Sequence, residues 1–539
     1  MAEYPPPALP QPQAYRAPRP SWRSIGLLWL PSVLLAGAIL LPVGYLVVRA
    51  GQGETAIWDL VFRARNLEIV WNSLILAFSV TAASIGIALP LAWLTTRTDL
   101  PFRRGWALLT ALPLVIPSYI GAYLFVSAMG PRGLVQGWLE TLFGIERIPS
   151  LYGFPGAVYV LTVLTYPYIL LNLRAALAGM DPTIEEAARS LGHTPWQTFW
   201  RVTFPQLRPA LAAGSLLVIL YTLRDFGAVA ILRYDTFTRA IYVQYQSSLD
   251  RSAAAALALI LIVITLLLLA AETRWQTSAR QYSSTARVRP PTIIALGKWK
   301  GPALVFCMGV VLAALLLPAL NLGYWLVRGV QAGEEIRALW GASWNSFSIS
   351  LMAAFVTVAA SLPISILRVR RAGRVPQLLE RMMYVGFALP GIVIALALVF
   401  FGANYLPWLY QTAPMLIFAY VILFLPQALG AVQASLLTVH PNLEEAGRSL
   451  GHGPLTVFRR ITLPLVRPGL GAGTALIFLT VMKELPATLI LSPLGFKTLA
   501  TSVWGAVSEA FFAQAAAPAL LLILVSSVPM AFLTIRKQI

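Results

Sequence analysis

The chain has 539 residues, of which 58% are hydrophobic and only 11% are charged. A soluble domain carries about 25% charged residues, so a chain of this length with so few charges cannot cover its surface in water. One cysteine and three histidines exclude a disulfide scaffold and a zinc ribbon, and they leave little for a histidine metal cage. The composition predicts a polytopic membrane protein.

Apolar runs of about 20 residues, long enough to cross a bilayer, recur along the whole chain. The stretch 1–24 is rich in proline and arginine, cannot pack a core, and predicts a disordered cytoplasmic tail. The run after it is too long for a signal peptide. Twelve spans are predicted, at 25–48, 69–94, 106–128, 154–173, 209–231, 252–271, 302–326, 347–367, 382–401, 412–433, 468–491 and 515–535.

Membrane topology explains the net charge of +19. When the N-terminus is placed in the cytoplasm and the sides alternate, Lys and Arg concentrate in the cytoplasmic segments, above all near Arg97, in 274–300 and in 368–381. This is the positive-inside pattern. The charge therefore requires no nucleic-acid partner, and both termini are expected in the cytoplasm.

A polar block of ten residues occurs twice. Segments 184–193 and 443–452 are identical at eight of ten positions with an offset of 259, and Trp-Asn-Ser at 71–73 and 344–346 belongs to the same repeat. Each half then holds six spans, and an even number keeps the two copies in the same orientation, which predicts a parallel repeat. The expected units are a first repeat, 25–272, a cytoplasmic linker, 273–300, and a second repeat, 301–539.

Each copy of the block predicts two short helices joined by a glycine. Gly192 and Gly451 follow the first helix, at a position where glycine often takes a positive φ. A proline near the start favours the second helix, and another, Pro205 or Pro464, is expected to stop it. Two such copies predict a docking element for a partner with two matching sockets. An ordinary amphipathic loop is the alternative, but it gives no reason to keep the same residues twice.

The spacing of this block resembles the EAA loop of binding-protein-dependent ABC importer permeases. The first EAA loop, 178–205, matches at Glu186-Ala187-Ala188, Gly192 and 202–205, and the second, 437–464, departs only by Gly447 in place of the second alanine. The resemblance implies an all-α type I importer permease fold of about twelve transmembrane helices, with loops that dock on a separate cytoplasmic ATPase homodimer. The ATPase-coupling residues that it implies are Glu185, Glu186, Ala187, Gly192, Glu444, Glu445, Ala446 and Gly451.

The fused layout resembles ferric-iron permeases of the FbpB type, as do segments 224–229, 232–239, 483–488 and 495–501. This implies a multi-pass protein of the bacterial inner membrane, in contact with membrane lipid and served by a periplasmic ferric-iron-binding protein. No cofactor, metal site or catalytic constellation is expected, and the chain lacks a phosphate-binding loop of its own. A thiamine or other small-solute permease remains an alternative. From another class, an ion-coupled secondary transporter would use Asp225 and Glu484 as proton carriers.

Two charged pairs, Arg224-Asp225 and Lys483-Glu484, occupy the same repeat position and are expected inside spans five and eleven. An isolated ion costs at least about 2.5–3.5 kcal/mol at a helix centre, so these side chains should face a wet cavity or one another. They either flank the central pathway near its outer mouth and gate or contact the solute, or they form structural ion bridges, for which Asp225 with Lys483 is the pair to test. Small residues at 210, 214, 469 and 473 are expected to pack spans five and eleven.

Overall fold

The computed structural model describes residues 22–51, 63–130, 133–145, 149, 151–247, 252–279, 293–333, 338–371 and 373–536. Within these ranges the chain is helical apart from short loops and one isolated bridge between Thr98 and Ile294. The helices of the first half are α1 Trp22–Gly51, α2 Ala64–Arg97, α3 Arg103–Leu109, α4 Ser118–Met129, α5 Leu134–Phe143, α6 Phe154–Gly179, α7 Pro182–Ser190, α8 Pro195–Thr198, α9 Phe204–Arg224, α10 Gly227–Ile231, α11 Phe237–Ser247 and α12 Ser252–Ala279. Those of the second half are α13 Lys300–Val311, α14 Leu317–Gln331, α15 Ala338–Arg370, α16 Arg374–Ala388, α17 Gly391–Tyr405, α18 Ala413–Leu437, α19 Pro441–Ser449, α20 Pro454–Val457, α21 Leu463–Met482, α22 Pro486–Leu491, α23 Leu499–Ser508 and α24 Phe512–Arg536.

Every predicted span falls on one helix or on consecutive helices of the described chain. Eight helices of the described chain are long and apolar enough to cross a membrane, and two bent helix pairs raise that number to ten. The last predicted span of each half falls in α12 and α24, whose described apolar stretches, Ala253–Leu268 and Phe512–Ser527, are shorter. The predicted tail is helical from Trp22, and its first 21 residues lie outside the described ranges.

Four of the spans are interrupted. Spans three and nine bend by 95° and 97°, and Pro117 and Pro390 cap the helices that follow the bends. A proline disfavours the helical conformation in the residue before it, which ends the incoming helix. Spans five and eleven end at Arg224 and Met482, and the short helices α10 and α22 follow. Both charged pairs therefore lie at breaks within the predicted spans five and eleven.

The same three helices pack together in each half: α2, α6 and α9 in the first, and α15, α18 and α21 in the second. Small residues permit the close approach. A Cβ added at Gly214 would lie 2.8 Å from the Cα of Ile169, and one added at Gly469 would overlap Ser435 Oγ. The small-residue faces thus pack spans five and eleven on the preceding span of their own half.

The first span of each half, α1 in the first and α13 with α14 in the second, packs on helices of the other half. Helix α1 packs on α15, α16 and α17, while α14 packs on α4 as well as on α24. The buried Asn321 side chain of α14 donates hydrogen bonds to Leu124 O (2.6 Å) and Ser127 Oγ (2.9 Å) of α4. The Tyr123 hydroxyl donates to Phe512 O at 2.7 Å. The two halves are therefore interlocked.

The end of the predicted linker attaches to the loop after span two. Ile294 N donates to Arg97 O (2.8 Å), and the Asp99 carboxylate accepts from Leu296 N (2.8 Å) and pairs with Lys300 Nζ (2.7 Å). The Lys300 ammonium and this N–H group hold the pKa of Asp99 below its ordinary value. The first residues of the linker extend α12 to Ala279, and 280–292 lie outside the described ranges.

The repeated Trp-Asn-Ser motif anchors an outer helix in each half. Ser73 Oγ accepts a hydrogen bond from Phe237 N (3.1 Å), the first residue of α11. Ser346 Oγ accepts one from Leu499 N (2.7 Å), the first residue of α23. A free N–H group at a helix start needs a partner, and the serine supplies it. The motif recurs for this structural reason.

Candidate functional site

The first helix of each EAA loop ends in a turn that only glycine adopts easily. Gly192 has φ +88° and Gly451 φ +84°. In both copies the glycine N–H and the following histidine N–H donate back to the last helical turn. A Cβ at either glycine would meet nothing within 4 Å, so the backbone conformation, and not the available space, requires glycine there.

The second helix of each loop does not stop at the proline, which corrects the sequence expectation. Helix α8 passes through a π-turn, Phe199–Thr203, into α9, and the second half repeats this with a π-turn at Phe458–Thr462. Pro205 lies in the first turn of α9, where its missing N–H is not required, and the wider π-turn relieves the clash with the preceding carbonyl. One helix of 30 residues, Pro195–Arg224, therefore joins the loop to the break in span five, about 45 Å away.

One glutamate in each loop is an internal brace. Glu185 is 2% exposed, pairs with Arg97 Nη1 at 3.4 Å, and accepts a hydrogen bond from Thr203 Oγ1 at 2.8 Å. Glu444 makes the same contacts in the second half, with Arg370 Nη2 and the threonine at 462, both at 2.9 Å. Each carboxylate thus ties the short helix to the π-turn and to the last residue of span two or eight.

The next residues along each loop face outward. Glu186, Ala187 and Gly192 are exposed in the first loop. In the second loop Ala446 and Gly451 are exposed and Glu445 is half-buried. Large apolar side chains accompany them on both loops, namely Ile184, Leu191, Leu443 and Leu450, and of these Leu191 is 81% and Leu450 79% exposed. The predicted coupling residues therefore form two groups. Glu185 and Glu444 are buried and make internal contacts, while the others lie on an outward surface that carries both polar and apolar side chains.

Gly447, the one departure from the EAA spacing, has a packing reason. A Cβ at this glycine would lie 2.5 Å from Ile461 Cδ1 and 3.2 Å from Val457 Cγ2. The equivalent positions of the first loop hold Ala188, Val202 and Thr198. The extra methylene of isoleucine in the second loop thus occupies the space that the alanine methyl fills in the first.

The two acids of the charged pairs cap the short helices that follow the breaks. Asp225 Oδ1 accepts from Ala228 N (3.0 Å) and Val229 N (3.4 Å). Glu484 accepts from Ala487 N (2.9 Å), Thr488 N (3.0 Å) and Thr488 Oγ1 (2.9 Å). Oε1 of Glu484 also approaches Gly391, where a Cβ would lie 2.6 Å from it. Because the bilayer offers no water, these carboxylates satisfy helix N–H groups that would otherwise be free.

The two cations reach across the boundary between the halves. Lys483 Nζ donates to Leu114 O of the first half at 3.0 Å, and Arg224 interacts electrostatically with Glu484 of the second half. The ion pairs found between described residues do not include one between Asp225 and Lys483. The cross-half attraction is therefore between Arg224 and Glu484, and not between the pair that the sequence suggested.

Sequence reasoning missed four tyrosines at this place. Tyr119 and Tyr420 interact electrostatically with Glu484, Tyr168 with Arg224, and Tyr221 with Asp225. We call these four tyrosines and the two charged pairs the central cluster. One available signal was the Pro117-Ser118-Tyr119 sequence, which places a tyrosine directly after a span break. Among the described residues, no group of three or more His, Cys, Asp and Glu side chains could hold a metal ion.

We predict that Gly447→Ala lowers the stability of the folded protein and that adding Ile461→Val restores it. Overpacking a filled site costs about 1–3 kcal/mol, and the valine removes the methyl group that the alanine meets. The measurement is the thermal unfolding temperature of purified single and double variants in detergent, with Ile461→Val alone as the control. Equal unfolding temperatures for wild type and Gly447→Ala would contradict the packing explanation.

We also predict opposite outcomes for the adjacent glutamates of the first loop. Glu185→Gln leaves the Arg97 guanidinium buried without its counter-charge, and breaking a buried ion pair costs about 3–5 kcal/mol. Glu186→Gln changes an exposed side chain and is the matched control, for which we expect no shift. Thermal unfolding and the amount of folded protein in membranes measure both. A shift of equal size in the two variants would refute the assignment of Glu185 as a brace.

Comparisons with known proteins bear on the family to which the chain belongs. Residues 84–281 and 358–536 each match the family described as binding-protein-dependent transport system inner membrane component. The Fe(3+)-transport system permease protein FbpB 2 of Haemophilus influenzae is 34% identical over 502 residues, which cover 92% of this chain and 96% of that protein. The ferric transport system permease protein FbpB of Actinobacillus pleuropneumoniae is 26% identical over 466 residues, covering 82% and 67%.

A chain in the crystal structure of a bacterial alginate ABC transporter, in complex with an alginate pentasaccharide-bound periplasmic protein, aligns with a TM-score of 0.41 at 20% identity. The alignment covers 49% of this chain and 99% of that chain. Each of the two family matches contains one EAA loop and one charged pair. The chain therefore belongs to the family of binding-protein-dependent transport system inner membrane components, and it is a permease subunit, not an enzyme, that carries the family's domain twice.

Proposed function

We propose that this permease imports ferric iron across the bacterial inner membrane, driven by a separate cytoplasmic ATPase homodimer and supplied by a periplasmic ferric-iron-binding protein. The observation that carries the proposal is the pair of unbroken helices, Pro195–Arg224 and Pro454–Met482, that run from the EAA loops to the central cluster. The two FbpB relatives, whose names state ferric transport, support iron as the cargo.

The outward surfaces of the EAA loops suit two copies of one partner. Both present a glutamate, a small residue, a glycine turn and the same exposed leucine at the same repeat positions. Glu186, Ala187 and Gly192, with Glu445, Ala446 and Gly451, form the docking surface, while Glu185 and Glu444 couple indirectly by holding it in place. Because the proposed sockets belong to two identical ATPase subunits, each loop occupies one of them.

The proposed orientation follows from the charge distribution. The basic segments next to the EAA loops lie in the cytoplasm, as do both termini. Residues 25–272 and 301–539 form the two permease repeats, 273–300 the cytoplasmic linker, and 1–24 a cytoplasmic tail. Lipid surrounds the outer apolar faces of the spans.

The proposed mechanism is alternating access. Closure of the ATPase dimer on ATP brings the EAA loops together, and each loop moves its continuous helix as a unit. The far ends of these helices lie at the boundary between the halves, where Arg224 faces Glu484 and Lys483 faces Leu114. Movement of the loops is thereby converted into rearrangement of the central cluster.

We predict that the importer, reconstituted in vesicles with its ATPase and binding protein, takes up ferric iron only with ATP. Replacing both Gly192 and Gly451 with valine should lower this uptake about tenfold or more. A positive φ strains each valine by about 1–2 kcal/mol. Every 1.4 kcal/mol changes an equilibrium constant tenfold, here that between the working and the distorted loop. The matched control replaces both with asparagine, which tolerates a positive φ and should retain most of the uptake.

The outcomes separate the alternatives. Normal uptake by the folded valine variant would refute the coupling assignment. Uptake by the permease without any ATPase would favour an ion-coupled secondary transporter. ATP-driven uptake of thiamine in place of iron would refute iron as the cargo but would agree with the proposed mechanism.

A further inference from the structure

Tyr119 is a buried side chain that hydrogen bonding does not explain. It is the second residue of α4, directly after the break at Pro117, and is 2% exposed. Its hydroxyl has no hydrogen-bond partner in the described part of the chain. A buried polar group left without a partner costs about 1–3 kcal/mol, and such a group in a native protein needs an explanation.

Two other buried tyrosines show what a structural hydroxyl does here. The Tyr123 hydroxyl donates to Phe512 O and that of Tyr166 donates to Thr110 O, both at 2.7 Å. Each fastens one segment to another through a backbone carbonyl. Among the described residues Tyr119 finds no such partner, although it lies only four residues before Tyr123.

The neighbours of Tyr119 come from both halves of the molecule. Glu484 and Tyr420 of the second half and Tyr221 of the first interact with it electrostatically. Tyr420 also shares a hydrogen bond with Thr488 Oγ1 at 2.7 Å, and that hydroxyl in turn donates to Glu484. Three tyrosines and one carboxylate, drawn from both halves, therefore interact with one another at this place.

The supporting elements are the interrupted helices. Tyr119 follows the break in span three, Gly391 follows the break in span nine, and Glu484 and Asp225 follow the ends of spans eleven and five. In many secondary transporters, solute sites lie where discontinuous helices meet near the middle of the membrane, and the interrupted helices here offer a similar arrangement. The three hydrogen bonds that Glu484 accepts from α22 fix its orientation, as outer-shell bonds orient metal ligands.

We propose that Tyr119, Tyr221, Tyr420 and Glu484 form a transient site for the ferric ion on its way between the two halves. The inference rests on the proposed function, because iron is the cargo there. Carboxylate and phenolate oxygens are hard ligands, and a tyrosine oxygen is an established ligand of iron in proteins. Each phenol that binds the metal as a phenolate releases one proton to water, so binding is coupled to proton release.

The cations of the central cluster make this site weak, as transport requires. Arg224 balances the charge of Glu484 when no cargo is bound, and Lys483 stays on the Leu114 carbonyl. A trivalent ion that approaches Glu484 takes over the role of Arg224 as its counter-charge. A site on a transport path must bind well enough to admit an ion and weakly enough to release it.

The test is Tyr119→Phe in the complete importer with its ATPase and binding protein. The change removes one oxygen and breaks no hydrogen bond, so the unfolding temperature should not fall. We expect iron uptake to fall about tenfold, the typical lower effect of losing a group at a metal site, while ATP hydrolysis stimulated by loaded binding protein continues. Tyr420→Phe should act in the same direction. Tyr159→Phe, on the half-exposed surface of α6, is the matched control and should change neither activity.

A second measurement does not depend on transport. Ferric ion added to the detergent-purified complex should give a visible iron–phenolate charge-transfer band, which Tyr119→Phe weakens and Tyr159→Phe leaves unchanged. Wild-type iron uptake by Tyr119→Phe, together with an unchanged band, would overturn the inference and leave the proposed function standing. Loss of uptake together with a lower unfolding temperature would make Tyr119 structural and also overturn it. Failure of the wild-type importer to move iron would instead refute the proposed function.

Discussion

Inside a bilayer a helix can end only where its free N–H and C=O groups find partners within the protein, and this constraint organises the molecule. Four spans are interrupted near the boundary between the halves, and each interruption brings its own solution. Prolines stand at two of the new helix starts, and the carboxylates of Asp225 and Glu484 cap the other two. Charged residues are therefore present in an apolar region because the breaks need them. Under the proposed function, these side chains also supply the polar surroundings that a passing ion requires.

Two continuous helices connect the EAA loops to the distant breaks in spans five and eleven. A helix that stopped at Pro205 would have left the loop as a separate element joined by flexible chain. The π-turn accommodates the proline instead, and the helix continues to Arg224. The buried pair of Arg97 with Glu185 holds the short helix of the loop against this long one. Loop and span therefore form one mechanical unit in each half.

Much of this arrangement is present in the sequence. The internal repeat, the glycine turns, the positions of the spans and the equivalence of the two charged pairs all follow from residue patterns. The continuation past Pro205 does not follow, because a proline in a first turn is compatible with either outcome and the π-turn depends on the tertiary context. The breaks at Arg224 and Lys483 were hidden for a similar reason, since apolar residues continue on both sides of them.

The roles of adjacent glutamates were also beyond sequence reasoning. Hydrophobic periodicity places apolar residues inward, but in the first EAA loop Ile184 and Leu191 are exposed while Glu185 is buried. The short helix thus inverts the usual pattern, because its apolar residues lie on the proposed docking surface and its acid pairs with Arg97. Tyr119 shows the same limit, because only the packed helices reveal that its hydroxyl has no partner in the described part of the chain.

The central claim is that each EAA loop and its span move as one rigid helix. The most direct measurement uses spin labels in a permease without its native cysteine. One pair of labels, at Ile184 and Leu443, reports the distance between the two loops. The other pair, at Leu455 and Leu476, reports a distance of about 32 Å within one helix. The account predicts that ATP and loaded binding protein shorten the distance between the loops and leave the distance within the helix unchanged. A change in the distance within the helix when the loops close, caused by bending at the π-turn, would contradict the account.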